Sequence, residues 1–335
     1  MKSGKPGSIE LICPAGSPAM LRAAVEAGAD GVYCGLADST NARNFPGLNF
    51  SPRELTDSVA WAHARGAKVL VAVNTFARAG EVDTWRASAD AAAAAGADAI
   101  IAADLAVLAH VHAKHPGTRL HLSVQAAASS PESIRFYAQT YGVKRVVLPR
   151  VLSVEEIAAL TAEIDVETEA FGFGGLCVMA EGRCMLSSYA TGKSPNLSGV
   201  CSPPSAVAYV EEPGGMAVKV GGFTVDRYHE GESAGYPTLC KGRFEAHGTA
   251  GYLFEDPVSL NAMSMLVALS KAGVTAVKIE GRQRGKAYVA QVTAAFRAAI
   301  DAMDRGQDPA RFAERLMSLS EGGRQTDGAY RKTWR

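Results

Sequence analysis

The chain has six cysteines, and they are unevenly spread: Cys13 and Cys34 lie near the start, while Cys177, Cys184, Cys201 and Cys240 fall in one later stretch. That stretch is rich in glycine and proline (FGFGGLC, MAEGRC, SPNLSGVCSPP, YPTLCKGR). Such a composition lets a backbone wrap closely around a compact object and turn amides toward sulfur. Four thiolates can hold zinc or a [4Fe-4S] cluster, since both accept ligation by four cysteines. Structural zinc sites usually contain close pairs two to four residues apart, whereas six, sixteen and thirty-eight residues separate these cysteines. The spacing favours iron-sulfur modestly and leaves zinc, or four unrelated buried thiols, open.

A second group of residues could handle an anion. Arg43, Asn74, Asp104, Gln125, Arg150, Glu181, Arg183, Glu280 and Arg282 stand at or just beyond the ends of predicted strands. A guanidinium binds a carboxylate through a two-pronged fork, so Arg150 and Arg282 are the preferred substrate anchors. The competing reading locks each in a structural ion pair. Arg183, Lys241 and Arg243 adjoin the cysteines, where they either offset thiolate charge or are solvated. His110, His112 and His115 crowd the end of a predicted helix, which suits cations at the dipole's negative end; with no carboxylate partner evident, they are not read as a metal site. Cys13 and Cys34 end the first two strands and are read as buried free thiols. No catalytic residue is identified.

The elements that must position these groups follow one repeated pattern: a helix tail, a glycine, then an apolar run, as in EAGADGVYCG, HARGAKVLVAVN, AAGADAIIAAD, YGVKRVVLPR and KAGVTAVKIEG. Gly28, Gly66, Gly96, Gly142 and Gly273 fit the position after a helix where a left-handed backbone is wanted. Apolar strands alternating with amphipathic helices indicate a parallel sheet covered on both faces. IELIC, DGVYC, KVLVAVN, DAIIAA, LHLSVQ, RVVLP, VETEAF and AVKIE give eight strands, which predicts a TIM-like (β/α)8 parallel barrel spanning 1–335 as one domain. No strand is followed by a phosphate-binding glycine loop. The excess length lies between strand seven and a helix expected from near Ser259. It predicts an insertion over 173–257, on the face where such barrels carry their chemistry. Ser153 with Glu156 reads as a capping box opening a further helix.

Lys plus Arg equals Asp plus Glu at 34 each, so no global basic field gathers nucleic acid, and no stable nucleic-acid partner is expected. No apolar stretch approaches the length of a membrane helix, and the N-terminal segment has no leader-like apolar run. The expectation is a cytoplasmic protein, not integral to a membrane, with reduced thiols.

The segment Glu169 to Ser187, EAFGFGGLCVMAEGRCMLS, resembles the signature of the collagenase-like peptidase family, with Gly175 standing where that family usually has Ser or Ala. ELICPAGS, DSTNARNFPGLNFS, NTFAR, VVLPRVLS, SPNLSGVCSP, DRYHEGESAGYPTLCKGR, VKIEGRQR and GAYRKTW extend the resemblance nearly full length, toward the branch that supports ubiquinone biosynthesis without oxygen. The resemblance implies a [4Fe-4S] cluster on Cys177, Cys184, Cys201 and Cys240. It implies anaerobic, O2-independent ring hydroxylation of a ubiquinone precursor, with prephenate as oxygen donor. The implied partners are a UbiV-like paralogue, in a heterodimer, and a UbiT-like lipid-binding accessory protein. RNA base hydroxylation, known in the same family, is the alternative. A peptidase is less favoured, because neither HExxH nor GxSxG occurs. A non-catalytic subunit, its cluster bracing an interface, is a further reading.

Overall fold

The computed structural model describes residues 9–177, 184–195, 201–232 and 234–331. Eight parallel strands close on themselves: β1 (Glu10–Pro14), β2 (Gly31–Cys34), β3 (Lys68–Val73), β4 (Ala99–Ala102), β5 (Arg119–Leu122), β6 (Arg145–Val147), β7 (Glu167–Gly175) and β14 (Ala276–Ile279). Each pairs with the next, and β14 pairs with both β7 and β1, which completes the ring. The predicted (β/α)8 barrel is therefore present, and all eight predicted strands take part. The five helix-end glycines adopt positive φ as expected.

Helices α1 (Pro18–Glu26), α2 (Pro52–His63), α3 (Val82–Ala94), α4 (Leu105–Lys114), α5 (Pro131–Tyr141), α6 (Val154–Thr161), α8 (Leu266–Lys271) and α9 (Lys286–Asp304) surround the barrel, and α7 (Met185–Thr191) lies in the excursion after β7. Short polar side chains start many of them. Ser51 with Glu54, and Ser153 with Glu156, form reciprocal capping boxes, while Ser17, Asp104 and Ser130 accept from amides of the first turn. Each satisfies an amide that the helix itself cannot.

Strand alternation divides the apolar residues in two. Leu11, Cys13, Val32, Cys34, Val69, Val71 and Ile100 face outward into one large core beneath the helices. Ile12, Tyr33, Leu70, Ala99, Ile101 and Ala276 face inward as a smaller separate cluster. The inward face also carries charge. Lys278 Nζ donates to Glu169 Oε1 at 2.7 Å, both nearly fully buried, and Arg145 lies 2.7 Å from both Glu10 and Glu167 and 3.5 Å from Glu169. His121, buried beside them, has no hydrogen-bond partner for either ring nitrogen among the described residues. Burial, then the neighbouring Arg145 and Arg119, holds its pKa well below the ordinary histidine value, so the ring is neutral at pH 7.

After β7 the chain leaves the barrel. It forms a three-stranded antiparallel sheet of β8 (Val207–Glu212), β9 (Gly215–Val220) and β10 (Phe223–His229), then a hairpin of β11 (Arg243–Ala246) and β12 (Thr249–Tyr252). Val218, Val220 and Val225 form a small core there. A helix does not begin near Ser259, as the sequence suggests. Ser259–Asn261 is strand β13, antiparallel to the last residues of β7 and joined in parallel by β15 (Gln325–Thr326). The nine-residue β7 outruns β14, whose pairing with it is irregular after Lys278. Its remaining backbone groups need a partner, so helical turns start only at Ala262.

Removing one partner of a buried ion pair strands the other's charge. Lys278→Met should therefore destabilise the fold by about 3–5 kcal/mol. The double variant Glu169→Leu/Lys278→Met should lose less than that single change, because Arg145 retains Glu10 and Glu167. Urea unfolding of both variants measures the difference, and a loss in the double variant as large as in Lys278→Met, or larger, would refute the pairing.

Candidate functional site

The C-terminal ends of the barrel strands bring most of the predicted polar residues together. Arg43 comes from the loop after β2, Arg150 follows β6, and Glu280 and Arg282 follow β14. Glu280 sits between two cations: Arg43 Nη2 donates to its Oε1 at 3.1 Å, and Arg150 Nη2 to its Oε2 at 3.2 Å. Burial works against this carboxylate, but Arg150 and Arg43 more than offset that penalty, and its pKa lies below the ordinary value. Arg150 also stacks on Phe171, its guanidinium carbon 3.6 Å from the ring centre. Gly174 leaves room for the anion, since a Cβ there would stand 2.5 Å from Glu280 Cβ.

Arg282 is nearly fully buried beneath this layer, where its Nη1 donates to Asn41 Oδ1 at 2.6 Å and Asn41 in turn donates to the Leu36 carbonyl. Burial lowers its pKa to about 10, so it remains a cation at neutral pH. Gly35 makes this pair fit: a methyl there would meet Asn41 Cγ at 2.5 Å and Arg282 Nη1 at 3.0 Å. Lys278 Nζ lies 3.9 Å and the Arg282 guanidinium 5.6 Å from the Tyr33 ring centre, which joins the mouth to the charged interior. Arg43 and Arg150 thus meet on the Glu280 carboxylate at the mouth, beside the Lys241–Glu321 pair.

The other strand-end residues are engaged locally. Asp104 caps α4 and also accepts from the Ala77 amide. Asn74 accepts from the Ala42 amide and so anchors the loop carrying Arg43. Gln125 accepts from Ser123 Oγ. Glu181 and Arg183 lie outside the described residues. Burial pushes the Cys13 and Cys34 thiols up to about 12, in keeping with apolar filling. The sequence does not single out Asn41, Tyr33, Lys278, Arg145 and His121, and it marks Glu169 only as part of the family signature. The readable signal was an ionisable residue inside an otherwise apolar strand, as in AVKI.

Cys184, Cys201 and Cys240 come from three separate segments of the excursion. Burial of its sulfur raises the Cys201 thiol, with Arg43 lowering it and Cys184 and Glu280 raising it further. Burial likewise raises Cys240, against a hydrogen bond to Thr238, with Cys201 and Cys184 adding to the rise and Lys241 opposing it. Cys184 precedes α7, and the Ser187 amide points at its sulfur at 3.4 Å. Ser187 Oγ donates to the Cys201 carbonyl. Tyr236 bonds the Ser202 carbonyl at 2.7 Å and packs edge-on against Phe45 of the mouth loop. Cys177 lies just past β7, and Lys241 pairs with Glu321 while Arg243 pairs with Asp226. A tetrahedral zinc site with Zn–S near 2.3 Å needs sulfurs about 3.8 Å apart. Among the described residues no three of the four thiols lie within 4.8 Å of one another.

Fold and site define a (β/α)8 barrel whose cationic mouth is bordered by a cysteine-bearing excursion. The chain belongs to peptidase family U32, whose family model matches residues 16–329. It is 32% identical over 337 residues to tRNA hydroxylation protein P of Escherichia coli K12, covering 93% of this chain and 72% of that protein. It is 30% identical to an uncharacterized protease of Methanocaldococcus jannaschii, covering 88% of this chain and 66% of that protein. It is 29% identical to the Escherichia coli 23S rRNA 5-hydroxycytidine C2501 synthase, covering 88% of this chain but 40% of that protein. Hydroxylation proteins are thus represented among the relatives beside proteases. A solved U32 peptidase aligns over 51% of this chain and 72% of its own at 19% identity and a TM-score of 0.41; the barrel assignment rests on the strand pairing itself.

Because Glu280 has a depressed folded pKa, its stabilisation is present above the unfolded carboxyl value and is lost as pH falls through the lower folded value. Glu280→Gln should therefore lower stability at pH 7 and flatten the fall in stability between about pH 5 and pH 3. Thermal unfolding across that range checks this, and parallel acid limbs would contradict it.

Proposed function

We propose that this chain is a UbiU-like iron-sulfur subunit for O2-independent ring hydroxylation in ubiquinone biosynthesis. The observation that carries the reading is Tyr236, which bonds the carbonyl of Ser202 next to Cys201 and packs against Phe45 of the loop that also carries Arg43, because it ties a cysteine-bearing segment to the barrel mouth. Cys177, Cys184, Cys201 and Cys240 would hold a [4Fe-4S] cluster, which when bound supplies one-electron redox or Lewis-acid chemistry. The residues of the mouth do the rest. Arg43 and Arg150 present guanidinium forks at Glu280, and Arg282 stays a buried cation nearby, side chains of the kind that would bind a dianionic cosubstrate such as prephenate. An entering carboxylate would share the forks of Arg150 and Arg43 with Glu280, and Arg282 beneath them would fix the depth of binding.

The excursion displays Met185, Tyr189 and Phe223 to solvent, with Tyr189 and Phe223 in ring contact. That apolar face accords with a UbiV-like partner in a heterodimer, while a UbiT-like accessory protein would deliver the lipidic ring substrate. Among the described residues no helix is long and apolar enough to cross a membrane, and a cytoplasmic setting with reduced thiols accords with the proposed cluster. RNA base hydroxylation is the second reading, favoured by 32% identity to a tRNA hydroxylation protein.

Anaerobically purified protein should contain about four irons and four sulfides per chain, lost in Cys177→Ala. Deleting the gene should abolish ubiquinone only in anaerobic growth, and Arg150→Ala should fail to restore it. Normal ubiquinone together with loss of a hydroxylated RNA base would select the second reading; zinc in place of iron would overturn the cluster.

A further inference from the structure

The histidines near the end of α4 acquire a partner that the sequence concealed. Asp90, on the exposed side of α3, accepts from His110 Nε2 and His115 Nε2, each 2.6 Å from the same oxygen, Oδ1. His110 lies in the last turns of α4 and His115 is its C-cap. We propose that Asp90, His110 and His115 form a binding site for one divalent transition-metal ion, which clips α4 to α3 outside the barrel.

Three features of the geometry carry this. The carboxylate oxygen and two imidazole nitrogens all lie within 4.8 Å of one another, so a single ion can reach each of them. The two rings meet edge-on, 69° apart with centres 5.9 Å apart, so their Nε2 atoms converge on one point instead of stacking. The side chains are neither sealed nor free: His110 is 15% exposed, His115 25% and Asp90 51%. An ion can enter and keep water on its remaining positions, while the two packed helices fix the ligands.

Two imidazoles and one carboxylate suit zinc, cobalt or nickel, whereas calcium and magnesium prefer all-oxygen shells. With metal–ligand distances near 2.0–2.1 Å a tetrahedral site holds its ligand atoms about 3.3–3.4 Å apart, so each nitrogen, now 2.6 Å from the oxygen, would draw back by about 0.7–0.8 Å. Binding replaces two N–H···O hydrogen bonds; each imidazole keeps one proton by carrying it on Nδ1 and offers the Nε2 lone pair to the ion. Arg86 borders the same open groove but points its charge at Asp83, 2.9 Å away. His112, one turn away on α4, faces Gly142 at the end of α5 and takes no part.

The test uses the purified full-length protein in the cluster-loaded state. Zinc is titrated calorimetrically, and zinc-edge X-ray absorption, which is blind to iron, identifies its ligands. One zinc per chain with a nitrogen and oxygen shell is expected. Affinity should fall at least tenfold in His110→Ala and in His115→Ala and be unchanged in His112→Ala, with circular dichroism confirming that all three fold. Sulfur ligands around the zinc, affinity unaltered by the first two variants, or no uptake at tenfold excess would each overturn the site. Calcium and magnesium should not compete.

Discussion

The mouth of this barrel is organised by one carboxylate shared between two guanidinium groups. Glu280 accepts from Arg43 and Arg150, and so ties the loops after β2, β6 and β14 across the ring. Those loops have no extended backbone pairing with one another, and their relative positions depend on side chains. A carboxylate with two cationic partners stays ionised despite its burial. The groups that hold the mouth together are guanidinium forks, the type of side chain that binds carboxylates in pairs of hydrogen bonds.

Beneath that clamp the barrel interior departs from the usual filling of branched apolar side chains. Lys278, Glu169, Arg145 and neutral His121 stack below Tyr33 and Arg282, next to an apolar cluster that occupies the other side. Buried charges of this kind add little net stability over well-packed apolar residues. They fix the side chains above them in one arrangement, because every partner exchange would strand a charge. The position of Arg282 is further set by Asn41 and by the absence of a Cβ at Gly35.

The excursion after β7 is joined to the barrel by different means. Its sheet has a core of its own, and its approach to the mouth depends on Tyr236 against Phe45, on Lys241 with Glu321, and on the continuation of β7 into pairing with β13. Peptidase family U32 includes relatives described as proteases and as RNA hydroxylation proteins, and the chain covers only part of each.

The sequence by itself determined the eight strands, the helix-end glycines and the capping box at Ser153, because each depends on residues within a few positions of one another, and the alternation of strand with helix implied the parallel order. It also exposed the concentration of four cysteines and placed Arg43, Arg150, Glu280 and Arg282 at strand ends. Only the tertiary structure decided what those residues touch. Glu280 and Arg43 are 237 positions apart, Arg282 and Asn41 are 241 apart, and Asp90 reaches His110 and His115 from a neighbouring helix. It also turned Ser259 into a strand, since the exposed edge of β7 needed a partner. Local propensity does not encode such distant pairings; they arise when the closure of the barrel brings the strand ends to a common rim.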